Sequence, residues 1–151
     1  MSGIIVGVDG SEHSVKALRW ALLEAAAHHA PVRVMTVHPD YARPGTDVFS
    51  PMPMHAGNDD DLEYVRKAVW ELVDKATSDI GETVPVIVRS VQGDPATELL
   101  REASDAGMLV VGSRGAGGFT RLMMGSVSTK VVHHATCPVV VIPGDAQPRQ
   151  P

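Results

Sequence analysis

The most constraining feature of this chain is an alternation. Five short apolar runs, at residues 3–9, 31–39, 84–91, 108–112 and 137–143, are separated by longer stretches with helical periodicity. Apolarity that is continuous over so few residues marks strands buried on both faces. Between the first two runs, residues 11–29 place Val15, Leu18, Leu22 and Ala25 on one helical stripe, with Ser11 as N-cap. A second helix over about residues 60–80 carries Leu62, Val65, Val69, Leu72 and Ala76 on one side. Residues 93–107 offer Asp94 as N-cap and Pro95 at the first helical position, where a missing N–H costs nothing. A last helix spans residues 126–135.

This order predicts an α/β, Rossmann-like domain: an open five-stranded parallel sheet with helices on both faces and right-handed crossovers. No repeat or internal boundary is visible, so one domain over residues 1–144 and a flexible tail at 145–151 are expected. Residues 39–61 are rich in proline and show no period. They read as a long loop, open to a role as lid, partner site or plain disorder.

Composition narrows the function. Hydrophobic residues make up 44% of the chain, enough for a real core, while aromatics at 4% leave few stacking platforms for single-stranded nucleic acid. The net charge of -5 argues against a general nucleic-acid footprint. No apolar run approaches the roughly 20 residues that span a bilayer. With Cys137 as the only cysteine, no internal disulfide forms, and a reducing cytoplasm is the default reading. Before Pro138, Cys137 reads as a small buried residue rather than a reactive thiol.

Ligands of open parallel sheets bind outside the carboxyl ends of the strands, at the topological switch point. Two loops stand out there: "VDGS" after the first strand and the stretch "VVGSRGAGGFTRLMMGSVS" after the fourth, which holds five glycines in nineteen residues. Tight turns of this kind form anion nests, and a helix N-terminus adds partial positive charge. Arg114, Arg121 and Lys130 supply cations nearby, so the combination suits a phosphorylated ligand. The common phosphate and hydrolase motifs are absent. There is no G-x-x-x-x-G-K-[ST], "GAGGFT" fails G-x-G-x-x-G at Thr120, and no G-x-S-x-G elbow occurs.

What remains is a spacing: Gly112, Gly115 and Gly125-Ser126 form G-x2-G-x9-G-[ST]. With "IIVGVDGSEHS", "ALRWALLEAA", "VVGSRG" and "CPVVVIP", it resembles the ATP-binding members of the universal stress protein family over nearly the whole chain. The resemblance implies strand order 3-2-1-4-5 and a nucleotide lying across strands 1 and 4. It implies that Gly112 and Gly115 pass close to ribose and phosphates. Gly125, Ser126, Val127 and Ser128 would hold the phosphates at the helix N-terminus. Asp9, with Gly10 and Ser11 beside it, would face the nucleotide or a phosphate-bound magnesium. Val37 would meet adenine through its backbone. Ser113 and Arg114 complete the implied ATP set, Arg114 in a position the family varies. Gly117 and Gly118 read as slack between anchors.

Plainer readings stand beside these. Asp9 also suits a cap of the following turn, and Ser11 a helix cap rather than a nucleophile. His28-His29 and His133-His134 fall at helix ends, where a cation suits the dipole, and lack the spacing of a helical metal pair. Met123 and Met124 are expected to pack inward or line the pocket, and Met52 and Met54 to belong to a lid. A hydrolase needs a base near the phosphates, and Asp9 is the only acidic candidate. The expected function is therefore ATP binding by a small regulatory module of the stress response, with at most slow hydrolysis. A cyclic AMP-binding member of the same fold, or a weak adenine-nucleotide hydrolase using Asp9 and magnesium, are the alternatives. The final run, Val139, Val140, Val141 and Ile142, is an apolar edge if it closes the sheet. The resemblance implies a homodimer paired through it.

Overall fold

A computed structural model describes residues 2–38, 59–114 and 124–144. Five parallel strands, β1 (Ile4–Gly7), β2 (Val32–His38), β3 (Val86–Gln92), β4 (Met108–Gly112) and β5 (Val139–Ile142), form one sheet in the order β3-β2-β1-β4-β5. The helices are α1 (Glu12–His28), α2 (Asp59–Ile80), α3 (Pro95–Glu102) and α4 (Ser126–His134), with a single 3-10 turn at Ala103–Asp105 after α3. This is the α/β architecture expected from the alternation.

The apolar runs still alternate across the sheet, because successive strand side chains point to opposite faces. Ile4, Val6, Val8, Val32, Val34 and Val110 pack beneath α1 and α2 in the larger core. Ile5, Met35, Leu109 and Val111 pack beneath α3 and α4 with Leu99 and Val131. Register fixes this sorting: Ile4 lies beside Val32 on one side and Met108 on the other, so like faces like across three strands.

Two helix faces differ from expectation. On α1 the buried stripe is Ser14, Ala17, Leu18, Ala21, Leu22 and Ala25, and Val15 is only half-buried. The small Ser14 faces inward because α1 begins hard against the end of β4. On α2, Val73 and Ile80 join Val65, Val69 and Ala76 in the core, and Leu72 stands partly outside. Helix α2 starts at Asp59, so the end of the proline-rich stretch is helical. The rest of it, with Met52 and Met54, lies outside the described residues, as do Gly115, Gly117, Gly118, Arg121, Met123 and the 145–151 tail.

Candidate functional site

The carboxyl ends of β1 and β4 lie side by side, and each leads into a helix whose N-terminus faces the same edge. After β1 the chain turns through Gly10, whose φ of +82° is a left-handed conformation that favours glycine. The Asp9 Oδ1 accepts the Ser11 N–H at 2.9 Å, an Asx turn that delivers Ser11 to the N-cap of α1. Ser11 Oγ accepts the Ser14 N–H at 3.3 Å, and Ser14 Oγ donates back to the Ser11 carbonyl at 2.9 Å. The Asp9 N–H donates to Ser14 Oγ at 3.3 Å. The plainer readings of Asp9 and Ser11 as turn and helix caps are thus realised, and such a cap is worth about 1 kcal/mol.

Helix α4 starts otherwise. Its N-cap is Gly125, which makes no side-chain cap bond, and its first turn contains no acidic residue. Gly125 has φ -65° and ψ 166°, an ordinary extended conformation, so the backbone does not demand glycine here. A side chain able to satisfy the first N–H groups is simply missing. Helices leave those donors without intrahelical partners, and the macrodipole adds positive potential. Ser126 is exposed at this opening, Val127 half-buried behind it. Ser128 is different: it is 2% exposed, and its hydroxyl lies 3.0 Å from both the Ser113 and Gly125 carbonyls. Its side chain is used by the fold.

Ser113 joins the parts. Its N–H donates to the Ile142 carbonyl at 2.8 Å, extending the β4–β5 ladder, and its carbonyl accepts the Gly125 N–H at 2.6 Å. Its Oγ lies 3.4 Å from His13 Nδ1. Gly112 lies against the same helix turn: a Cβ there would sit 2.9 Å from the His13 carbonyl carbon and Cβ. The absence of a side chain at Gly112 is therefore first a packing requirement between β4 and α1. His13 also abuts Gly144, whose carbonyl accepts from Lys16 Nζ, so α1's first turns clasp the segment leaving β5.

His13 was not among the sequence candidates. It gains its place only because β1 and β4 are neighbours, which puts residues 13 and 113 together. Arg114 follows Ser113, half-buried, with partners of its own. Val37 is one strand away on the other side of β1, in register with Val91 and half-buried on the α3 face. Beyond it His38, 3% exposed, ends β2 with its carbonyl accepting the Gly93 N–H at 2.8 Å. Met124 is 43% exposed, so of the two expectations for it, inward packing does not hold and lining the ligand edge stays open.

On the α3–α4 side of the edge, Asp94 Oδ2 accepts the Thr97 N–H at 3.0 Å and the Thr97 hydroxyl at 2.6 Å, capping α3. Lys130 Nζ of α4 lies 3.3 Å from the same oxygen. The Thr97 hydrogen bonds, with a smaller contribution from Lys130, hold the Asp94 carboxyl below its ordinary pKa. Cys137 lies before β5, half-buried, and burial pushes its thiol up, away from reactive thiolate.

The edge strand β5 pairs with β4 alone among the described residues. Val139, Val140 and Val141 are partly exposed along it, while Ile142 is buried at 6% in the α1–α2 core. Of the four interface candidates, Ile142 is therefore turned inward: its side chain lies in the core and its carbonyl accepts the Ser113 N–H from the β4 side.

Comparison with known proteins gives one consistent result. Residues 1–143 match the model of the universal stress protein family. A universal stress protein of Mycolicibacterium smegmatis is 37% identical over 148 residues, covering 96% of this chain and 49% of its own length. The chain thus spans about half the length of the curated relatives it matches. A universal stress protein solved in complex with cAMP superposes with a TM-score of 0.65 at 23% identity, covering 95% of this chain and 98% of that one. One from Archaeoglobus fulgidus in complex with dAMP gives 0.62 at 23% identity, covering 94% and 98%. These two likenesses speak to the fold.

Proposed function

The chain belongs to the universal stress protein family, and from that premise we propose that it is a small regulatory module that binds ATP at the β1–β4 switch point. The observation that carries this reading is the N-terminus of α4. It opens at the ligand edge with a glycine cap, no side-chain cap bond and no acid in its first turn. A phosphate supplies what that turn lacks, at the place where sheets of this class take ligands. The G-x2-G-x9-G-[ST] spacing supports a nucleotide in particular, and two solved neighbours carry adenine nucleotides.

In this reading the Ser126–Ser128 backbone N–H groups hold phosphate, assisted by the Ser126 hydroxyl and the Gly115 loop. Val37 offers its backbone to adenine, and Arg114 lies beside the phosphates. Magnesium would arrive on the polyphosphate, with the Asp9 carboxylate as the hard oxygen donor that suits it. Asp9 already holds the Ser11 N–H, which supports a positioning role over that of a base. Turnover is expected to be at most slow, and at saturating Mg-ATP single-turnover hydrolysis in Asp9→Asn should fall no further than its loss of nucleotide affinity accounts for. A larger loss would favour the hydrolase reading. The cAMP-bound neighbour keeps cyclic AMP as the second candidate ligand.

The exposed edge of β5 supports pairing with a second copy, and a single cysteine, which forms no internal disulfide, suits a reducing cytoplasm. Mass spectrometry of ligand released from freshly purified protein tests the main claim. ATP at near-stoichiometric level is the expected result, and displacement by cyclic AMP ranks the two ligands. An empty protein that also rejects added ATP overturns the reading. Light scattering that gives a monomer at micromolar concentration overturns the dimer.

A further inference from the structure

We propose that Lys130 reads the number of phosphates on the bound nucleotide, held by Asp94 until a polyphosphate draws it away. The proposal rests on the nucleotide reading above and assigns a specificity-determining residue within it.

Lys130 is the only lysine or arginine in α4, and it follows Ser126 by one helical turn. Residues four apart share a helix face, and side chains lean toward the N-terminus of their helix. A long side chain at position 130 therefore runs back along the first turn, toward the donors that lack a side-chain cap. The observed ammonium position agrees: Nζ is 3.3 Å from Asp94 Oδ2, and Asp94 is the N-cap of the adjacent helix α3. The cation is thus stationed at the N-terminus of α3, the helix packed against α4. A cation near a helix N-terminus opposes the macrodipole. Asp94 offsets that cost in the structure described, and an anionic ligand would offset it in the complex.

The bridge is built to be released. Both side chains are about half exposed, at 50% and 57%, so the pair is worth little in water. Asp94 does not depend on Lys130 for its place, because the same oxygen accepts the Thr97 N–H and hydroxyl. When Lys130 leaves, α3 keeps its cap.

Arg66 pairs as openly, with Glu63 at 3.2 Å, but within its own helix α2. Several other basic residues are tied down by different means. Arg33 and Arg89 share Glu102 at 2.9 and 2.7 Å, Arg101 pairs with Glu98, and Lys16 donates to Gly144. Arg33 and Arg89 meet a carboxylate that is 11% exposed, which makes their pairs hard to exchange. Lys130 differs from these four in pairing across two helices with a solvent-exposed carboxylate that has other donors.

A single phosphate on the Ser126–Ser128 amides is common to AMP and ATP. The additional charge of the β- and γ-phosphates is what a mobile ammonium can distinguish. Lys130 therefore sets the preference for tri- over monophosphate.

Calorimetric titration of ATP and AMP into wild type, Lys130→Gln, Lys130→Arg and Asp94→Asn tests this. Lys130→Gln is expected to weaken ATP about fivefold, the size of one partly exposed ion pair, and AMP less than about twofold. Lys130→Arg restores the ATP preference. Asp94→Asn, which keeps a good N-cap, strengthens ATP by freeing the lysine. The salt dependence of ATP binding becomes shallower in Lys130→Gln, while that of AMP does not change. Equal loss for both nucleotides in Lys130→Gln, no loss for either, or ATP binding shifted in the same direction by Lys130→Gln and Asp94→Asn overturns the proposal. Wild type that binds neither nucleotide overturns the underlying reading, and is recognised before any variant is made.

Discussion

Two helices begin at the carboxyl edge of the sheet, on its opposite faces, and they treat their first turns in opposite ways. Helix α1 closes its own end. Asp9 holds Ser11, Ser11 holds Ser14, and Ser14 bonds back to Ser11. Helix α4 begins at a glycine with no side-chain bond to offer. The same geometry, a strand leading into a helix at the carboxyl edge, gives a self-capped turn in one case and a turn without a side-chain cap in the other. In the proposed reading, the second is where phosphate binds.

The comparison can be broken most directly at Gly125. Gly125→Asp gives α4 the kind of cap that α1 and α3 possess and places a carboxylate where phosphate should sit. ATP affinity is expected to fall about 100-fold, from like-charge repulsion and loss of the amide donors, while the thermal midpoint rises. Unchanged affinity in calorimetry would remove α4 from the phosphate site.

The next largest effect falls on packing. Gly112→Ala places a Cβ 2.9 Å from the His13 backbone, so α1 and β4 must move apart. A destabilisation of about 2 kcal/mol is expected in urea unfolding without ligand. Full stability would mean that Gly112 serves the ligand alone.

On the self-capped helix, Ser11→Ala is expected to cost about 1 kcal/mol of stability in the same assay. ATP affinity should move less than stability does, which is the reverse of Gly125→Asp. The smallest effect concerns Asp94. Its native pKa is lowered, so its contribution is present above the usual aspartate range and is lost as pH falls through the native value. The stability difference between wild type and Asp94→Asn should be constant above about pH 5 and shrink below it. A difference that grows on acidification would contradict the cap.

Much of this was legible in the sequence because it is local. The caps at Ser11 and Asp94 and the proline at Pro95 announce helix starts through chemistry confined to one turn. The strands were visible as apolar runs, since a central parallel strand is buried on both faces. The stripe on α1 was legible at Leu18, Leu22 and Ala25 and missed only at its start, on Val15 instead of Ser14. Hydropathy ranks valine above serine, and only the close approach of β4 explains why the smaller residue faces in. Met124 was expected to pack inward or to line the pocket, and its exposure removes the first, because periodicity carries no information about a residue just before a helix.

The sequence by itself determined the order of elements, their caps and the spacing of Gly112 and Gly125, because each depends on neighbours within a few residues. It could not place His13 beside Ser113, a hundred residues away, or Lys130 beside Asp94, thirty-six away. Those contacts exist only once the sheet sets β1 against β4 and packs α3 against α4. Tertiary structure also decided which glycines are structural. Gly112 is required by the approach of α1, whereas Gly125 has an unstrained backbone and makes no side-chain cap bond.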